Sequence, residues 1–518
     1  MFYFKQTAAV LPFLVVLASC SSDSSSASSV LANVQKGYNG HLSYIGSYST
    51  GEHNEDGGVA EIVAYNKDNK KIYMVNGAVG SIDIVSVDML RSDSFSNLTL
   101  YKRVDIQKMA EDNGFSYSDV TSVDVYNGTV ALAVQAEVYS DNGYIVLLDD
   151  EGEYVTSYNA GVQPDMICFT KDGRYILSAN EGEPREGYGA IDPKGSVTIV
   201  DLELNITTTV DFTDFDTQKS DLIDRGVIFT KDALPSTDLE PEYITVDGNK
   251  AYVSLQEANA IATLDIALGV FTDIRGLGFK DHNEEANKLD VVKNDEINIT
   301  TQNLYGVYMP DGISFFEANG AGYILTANEG DGRDWEGYKD VTSIEIDGKK
   351  VDTLDVSKKE GLDAAKNYLL GARSFSIYSA LDMTQVYDSG SDFEEFIAQH
   401  YPAFFNASHT NNDLDSRSGK KGPEPEYITS INIEDKTYAL IGLERFGGVM
   451  MYDITTPADA KFYDYINTRD FNGTEISDMG DLGVEGLCAV DGADSPTGKP
   501  ILFTANEVSG TIAVFEIR

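Results

Sequence analysis

A short motif with a downstream partner recurs along the chain, and this repeat restricts the fold more than any other feature. Each unit has an acidic residue at the start of one expected strand and a second acidic residue at the end of the next. The pairs are Asp165 and Glu181, Glu242 and Glu257, Asp311 and Glu329, Glu426 and Glu444, and Glu485 and Glu507. Two degenerate units precede them, at residues 43–89 and 120–160. About seven units of propeller-blade size predict an all-β chain that forms a single seven-bladed β-propeller with loop insertions.

The rest of the pattern is compatible with this fold. Short β-branched runs alternate with turn residues such as Asp347-Gly348, and helical periodicity is confined to insertions at residues 358–370 and 392–400. We expect the propeller to occupy residues 39–518, and its closure to pair a strand near Leu42 with the strand at 511–517. A solenoid is the main competitor, but its end repeats would usually be atypical polar caps.

Charge limits the partners of the chain. With 38 basic and 84 acidic residues among 518, the formal net charge is 38 − 84 = −46. Such a surface repels phosphate backbones, so nucleic acid is excluded as a partner, and it attracts cations. The 3 cysteines and 5 histidines show no spacing typical of a zinc or iron–sulfur site, so we expect any metal ligands to be oxygen atoms.

The N-terminus has the features of a bacterial lipoprotein. Residues 1–19 contain Lys5, a short apolar run and a lipobox-like end, which predicts a signal peptide with Cys20 as the lipidated residue. Residues 20–38 form a Ser-rich tether. The membrane is then a partner only through the lipid, and we expect an outer-membrane or cell-surface location. An ordinary cleaved signal peptide with an incidental cysteine is the alternative.

Hairpin geometry gives the repeated acidic residues a physical meaning. In an antiparallel hairpin the start of the first strand lies beside the end of the second, so each acidic pair meets at one end of its blade. If the first strands line a central channel, the ten carboxylates form a ring at its mouth, where a divalent cation, most simply Ca²⁺, would relieve their repulsion. The alternative is structural, since acidic residues at blade junctions also cap turns by accepting backbone N–H bonds.

Basic residues near these motifs are few. Arg333, Arg417 and Arg445 are candidates for binding a phosphate-bearing ligand beside the cation. Alternatively, they pair with the acidic ring structurally. Trp335, the sole tryptophan, is either an aromatic platform at the mouth or a packed rim residue.

Several of these passages carry a family resemblance. The motifs around Gln163-Pro164-Asp165, Ala327-Asn328-Glu329, Pro423-Glu424-Pro425-Glu426 and Ala505-Asn506-Glu507 resemble those of the choice-of-anchor I family. This is a bacterial group similar to the mesenchyme-specific cell-surface glycoproteins of biomineralising animals. The resemblance implies a secreted or surface-anchored propeller, and some members carry an alkaline-phosphatase label. Tyr243 and Tyr427 depart from the family pattern, which often has glycine at that position.

The sequence therefore leaves three functional hypotheses. The first is a lipid-anchored, monomeric surface propeller that binds Ca²⁺ at its channel mouth and a surface protein or phosphate-bearing ligand as its partner. The second is a metal-dependent phosphomonoesterase, although no G-x-S-x-G motif or Ser-His-Asp arrangement is identifiable. The third is a structural propeller with no ligand in its channel.

Overall fold

A computed structural model describes residues 35–518, in which strands dominate and helices are few and short. The prediction of an all-β chain is confirmed. The predicted signal peptide at 1–19, the lipidated Cys20 and most of the 20–38 tether lie outside the described residues. None of the helices between residues 35 and 518 combines the length and apolar character needed to cross a bilayer.

The described chain is organised around seven sheets that each contain four antiparallel strands, and sheet 7 has Ser96–Asn97 as a fifth, parallel strand. Sheet 1 comprises Val63–Asn66, Lys71–Asn76, Ser81–Ser86 and Thr99–Asp105; sheet 2, Asp119–Tyr126, Thr129–Gln135, Asn142–Leu148 and Tyr154–Val162; sheet 3, Pro164–Phe169, Tyr175–Asn180, Ser196–Asp201 and Ile206–Asp211; sheet 4, Ile244–Asp247, Lys250–Leu255, Ala260–Asp265 and Val270–Gly276. Sheet 5 comprises Ile313–Ala318, Ala321–Ala327, Phe375–Ser379 and Gln385–Asp388; sheet 6, Pro425–Ile433, Lys436–Leu443, Val449–Asp453 and Lys461–Ile466; sheet 7, Val484–Val490, Ile501–Asn506, Thr511–Ile517 and Leu42–Ser49.

The first strand of each sheet, which we call its inner strand, contacts the inner strand of the next sheet. The inner strand of sheet 7 also contacts that of sheet 1. Sheet 7 is completed by the N-terminal strand, whose residues Leu42 and Ser49 pair with Ile517 and Thr511 in an antiparallel ladder. The expected pairing between the two ends of the described chain is therefore observed, and the fold is propeller-like.

The hydrophobic core is divided among the contacts between neighbouring sheets. One cluster joins sheets 1 and 2, and others join 2 with 3, 3 with 4, 4 with 5, 5 with 6 and 6 with 7. A further cluster joins sheet 7 to sheet 1. Each sheet thus buries apolar side chains on both faces, which explains why its strands have little polar alternation.

Insertions between and within the sheets carry the remaining elements. The strands are Ser96–Asn97, Phe229–Thr230, Phe279–Asp281, Tyr305–Val307, Asp334–Trp335, Tyr338–Lys339, Val341–Ile346, Lys349–Leu354, Lys359–Glu360 and Tyr368–Leu370. The α-helices are Ile106–Asn113, Lys219–Asp224, Pro235–Asp238 and Asp392–His400, and the 3₁₀ helices are Gly77–Val79, Arg185–Gly187, Thr213–Gln218, Glu285–Asn287, Val356–Lys358, Pro402–Phe404, Pro457–Asp459 and Ile476–Asp478.

The two helical predictions in the insertions had different outcomes. The helix at 392–400 is confirmed. The helical prediction for 358–370 is wrong, because Lys359–Glu360 pairs with Phe229–Thr230 and Tyr368–Leu370 pairs in parallel with Tyr305–Val307. Strand partners that are distant in sequence outweigh the local helical preference.

Candidate cation site at the acidic collar

Seven residues, one from the start of each inner strand, line a single cavity of about 210 Å³. We call these seven residues the collar: Glu61, Thr121, Asp165, Glu242, Asp311, Glu426 and Glu485. Glu181, from the end of the second strand of sheet 3, also lines the cavity, and no basic side chain is among its lining residues. The structure therefore brings together the five leading carboxylates that hairpin geometry predicts, and adds Glu61.

The local backbone conformation explains how the collar side chains are oriented toward the cavity. The residue two positions before the acidic group has a positive φ in several units, with values of 53° at Gln163, 43° at Met309 and 52° at Glu424. In sheets 3, 6 and 7 the register also shifts next to Asp165, Glu426 and Glu485. Such bulges and sparsely populated conformations redirect side chains, and they are common at functional sites.

The second acidic residue of each unit follows a strand that pairs with the leading segment. Pro164 pairs with Asn180, and Val484 pairs with Asn506, so in these two hairpins the segments that carry the carboxylates are adjacent. Of the five second acidic residues, however, Glu181 alone lines the collar cavity, which differs from the predicted ring of ten carboxylates. In sheets 3, 5 and 7 an asparagine precedes the second carboxylate and holds neighbouring strands together. Fully buried Asn328, for example, donates to the hydroxyls of Ser374 (3.2 Å), just before the third strand, and Ser376 (2.8 Å), within it.

Burial and mutual repulsion make the collar difficult to ionise. Burial, together with Glu181 and Glu257, raises the pKa of Glu242 well above its usual range. Burial and Glu183 raise the pKa of Asp165 to about 6. Burial and neighbouring carboxylates likewise raise the pKa of the other acidic collar residues, which are Glu61, Asp311, Glu426 and Glu485. The cavity therefore favours either protons or a bound cation.

Two collar oxygens are buried without a partner in the described structure. Asp311 is 6% exposed and Glu426 is 9% exposed, and neither Asp311 Oδ2 nor Glu426 Oε2 has a hydrogen-bond partner among residues 35–518. Because a buried carboxylate oxygen without a donor is costly, these atoms mark where a ligand would be most stabilising.

Three carboxylates beside the collar, Glu329, Glu424 and Glu444, have basic partners within the chain. Buried Glu424 contacts Arg417, Lys421 (3.1 Å) and Arg445 (3.1 Å). Burial opposes its ionisation, but these three cations outweigh burial and hold the pKa of Glu424 well below its usual range. Lys421 also contacts Glu329. Arg445 also lies 3.0 Å from Glu444, so two of the ten predicted metal ligands, Glu329 and Glu444, have close basic partners, and a third, Glu181, has Arg185 at 3.8 Å.

Three groups of side chains are close enough to share an ion within the described residues. They are Asp165, Glu181 and Glu242; Glu329, Glu424 and Glu444; and His409, Glu444 and Glu507, each with ligand atoms within 4.8 Å of one another. The basic partner of the first group is the most distant, since Arg185 lies 3.8 Å from Glu181, whereas Arg445 lies 3.0 Å from Glu444, which belongs to both other groups. The third group corrects the expectation that only oxygen atoms are available, because the fold brings His409 from an insertion to the second-strand carboxylates.

Two tyrosines are in contact beside the collar cavity. The rings of Tyr243 and Tyr427 meet edge to face, with centroids 5.3 Å apart and planes at 87°. Both line a second cavity of about 290 Å³, which is also lined by the free cysteines Cys168 and Cys488, and Tyr243 lines the collar cavity as well. The tyrosines therefore narrow the channel between the collar and this second cavity.

The remaining predicted residues lie around the rim. Glu257 lines a separate cavity of about 500 Å³ together with Arg333 and Trp335. Arg333 is buried and donates to Glu240 (2.6 Å) and to the carbonyl of Asp238 (2.7 Å), which argues against a role in binding phosphate. Trp335 Nε1 donates to Glu183 (2.9 Å), and its ring packs beside Tyr188 and Tyr338.

The fold and the site together define a propeller-like protein with an acidic collar at the meeting point of its inner strands. The chain belongs to the choice-of-anchor I family, whose domain model matches residues 61–457. Domains of this family are typically associated with the cell surface, and membership supports a surface or scaffold protein in general.

Comparison with individual proteins gives one curated relative and a broad structural likeness. Gigasin-3a from Magallana gigas is 31% identical over 200 residues, which cover 36% of this chain and 70% of Gigasin-3a. Kuenenia stuttgartiensis hydrazine synthase has a TM-score of 0.46 at 11% identity and covers 90% of this chain and 98% of its own. A streptogramin B lyase structure has a TM-score of 0.43 at 11% identity, with 91% and 98% covered. These TM-scores support no functional conclusion.

Proposed function

We propose that this chain is a lipid-anchored surface protein that acts as a binding or scaffold protein. We further propose that its collar binds a divalent cation and that Ca²⁺ is the preferred ion. The observation that carries the proposal is the cavity lined by seven carboxylates and no basic side chain. Ca²⁺ takes six to eight oxygen ligands in flexible geometry, which suits carboxylates that converge from different strands.

We further infer that the seven sheets are the blades of a single closed propeller. Sheet 7 packs against sheet 1 through an apolar cluster, and their inner strands are in contact. A closed ring lets all blades contribute to one cavity, and it leaves few edges for association, in keeping with a monomer.

The group of Asp165, Glu181 and Glu242 is the proposed centre of the cation site. These carboxylates have ligand atoms within 4.8 Å of one another and no lysine among their contacts in the described structure. Asp311, Glu426 and Glu485 supply further oxygens from the same cavity wall. Glu329 and Glu444 are assigned instead to the internal ion pairs with Lys421 and Arg445.

Calorimetric titration tests the proposal. The protein is stripped with EDTA and titrated with Ca²⁺ and, separately, Mg²⁺, and its Tm is measured with and without each ion. We expect saturable Ca²⁺ binding and a higher Tm, because an ion that binds only the folded state stabilises it. Glu242→Gln should weaken binding, whereas Glu345→Gln, which removes one exposed carboxylate elsewhere, should not. If neither ion binds and EDTA leaves the Tm unchanged, the cation site does not exist.

A second function, metal-dependent phosphomonoester hydrolysis, is favoured by one contact. Arg445 lies 3.0 Å from Glu444; in this alternative Glu444 would ligate the metal rather than serve only as an ion-pair partner, and the adjacent guanidinium would stabilise a phosphoryl group. Hydrolysis of p-nitrophenyl phosphate with added Ca²⁺ tests this alternative. Turnover that is lost in a folded Glu426→Gln variant would support an enzyme, and no turnover over a panel of phosphate esters would leave binding as the function.

A further inference from the structure

A cavity outside the collar is lined by several basic side chains, although the protein as a whole is strongly acidic. It has a volume of about 530 Å³ and is lined by Lys293, Arg417, Lys420 and Arg445. The whole chain has only 38 basic residues against 84 acidic ones, so four basic side chains around one cavity are a local reversal of the overall charge. We propose that this cavity binds the terminal oxyanion, phosphate or sulfate, of a small ligand, and that it does so without a metal ion.

The two arginines are fixed with part of each guanidinium facing the cavity. Arg417 uses Nε and Nη2 to contact buried Glu424, which leaves Nη1 outside that contact. Arg445 uses Nε for Glu424 and Nη1 for Glu444, which leaves Nη2. A guanidinium has five N–H donors in a rigid fork, so one edge can hold an internal carboxylate while the other binds an external oxyanion.

Lysines and hydroxyls complete the donor set. Lys293 and Lys420 are exposed, and neither forms an ion pair within the described residues. The hydroxyls of Ser408 and Thr410 also line the cavity and are 3.5 Å apart. Phosphate and sulfate accept such bonds at several oxygens, so the cavity matches their charge and hydrogen-bonding capacity.

Acidic groups at the same cavity limit what the rest of the ligand can be. Glu55 and Asp56 are exposed and line this cavity as well. They would repel a second anionic group, as would the net charge of −46. The geometry therefore favours a ligand with one oxyanion and a neutral or cationic remainder over a polyanion such as heparin.

The inference is tested in EDTA, so that its outcome is independent of the proposed cation site. The full chain is titrated with sodium phosphate or sodium sulfate at constant ionic strength set with chloride. We expect saturable binding, and the two titrations show which oxyanion is preferred. Absence of saturable binding for both, or tighter binding of heparin than of either anion, would overturn the inference while leaving the Ca²⁺ result unaffected.

Variants locate the binding to this cavity. Lys293→Gln combined with Lys420→Gln removes two exposed charges without disturbing the ion pairs of Glu424, and should raise the Kd roughly fivefold. The matched control, Lys250→Gln with Lys349→Gln, removes two exposed lysines elsewhere and should leave the Kd within about twofold of wild type. Equal effects of the two pairs would show that only net charge matters and would contradict the proposal.

Removing the acidic side chains at the cavity should have the opposite effect on the Kd. Glu55→Gln combined with Asp56→Asn removes the repulsion at the cavity and should lower the Kd roughly twofold. Arg417→Lys keeps the positive charge beside Glu424 but loses the outer edge of the guanidinium, so it should raise the Kd. An unchanged Kd in Arg417→Lys would show that Arg417 does not bind the oxyanion.

Discussion

Glu424 and Glu426 are two residues apart at the start of the inner strand of sheet 6, and their carboxylates have opposite surroundings. Glu424 is fully buried and contacts three basic side chains. Glu426 Oε2 is buried without a partner in the described structure, and its carboxylate lines the collar cavity. The same strand thus supplies one carboxylate that holds the fold together and one that is free for a ligand.

The same substitution at these two positions should have opposite effects on stability. Glu424→Gln leaves three partly buried cations without the buried carboxylate that they share, and should lower the free energy of unfolding by about 3 kcal/mol. Glu426→Gln removes a carboxylate that is costly to ionise, and in EDTA at pH 8 should raise the free energy of unfolding by about 1 kcal/mol. Urea denaturation of both variants measures this, and destabilisation of similar size in both would contradict the assignment.

Stability should fall as the pH rises, which is the opposite of the usual effect of carboxylates in a folded protein. The pKa is about 6 for Asp165, about 7 for Glu257 and about 8 for Glu507, and burial is the first cause in each. Since these values lie above those of an unfolded chain, the folded state binds more protons, and stability falls as the pH rises from about 4 to about 8.

Melting curves across that range check this prediction. In EDTA the Tm should fall with increasing pH, by about 1 °C for each kcal/mol in a chain of this length. In saturating Ca²⁺ the fall should be smaller, because the ion stabilises the ionised form. A Tm that rises between pH 5 and pH 8 in EDTA would show that the collar is already neutralised.

The tyrosine pair offers a direct measurement of coupling across the channel. Tyr243 and Tyr427 belong to sheets that are not neighbours, yet their rings are in contact. A double-mutant cycle with Leu at each position should give a coupling of about 0.5–1.5 kcal/mol, as expected for an edge-to-face pair. Tyr252→Leu combined with Tyr427→Leu is the control cycle and should be additive, since Tyr252 stacks on Phe315 instead.

Asn328 should be essential to sheet 5 although it is not a ligand. Its amide donates to two buried hydroxyls, and its Oδ1 accepts a bond from Thr326 (2.7 Å). Asn328→Ala should therefore lower the free energy of unfolding by about 2–3 kcal/mol, since several buried groups lose their partners together. The exposed Asn472 serves as the control position, and its change to alanine should cost less than about 0.5 kcal/mol.

Much of the architecture could be predicted because the repeated acidic residues mark the start and the end of successive strands. Once each acidic pair is assigned to a hairpin, the convergence of Asp165, Asp311 and Glu485 follows from the way hairpins order their strand ends. The collar members Glu61 and Thr121 were missed because their second strands end at Asn76 and Gln135 and are followed by Gly77 and Ala136, so their units lack the second acidic residue that marks the other five.

Other features depend on contacts between segments that are far apart in sequence. His409 lies in an insertion and reaches Glu444 only through the packing of that insertion. Cys168 and Cys488 have no diagnostic spacing, yet they line one cavity because inner strands from two sheets face the same channel. The helix predicted over residues 358–370 failed for the same reason, since distant strands are the partners of that segment.

The ladder between Leu42–Ser49 and Thr511–Ile517 has a consequence for the order of folding during synthesis. The strand Leu42–Ser49 is synthesised early, but it cannot form this ladder until Thr511–Ile517 has left the ribosome. Closing so large a loop is slow, because its entropy must be lost before the contacts that compensate for it are formed. Sheets 1 to 6 can be assembled in the order of translation, whereas sheet 7 is completed only when residues 511–517 are available.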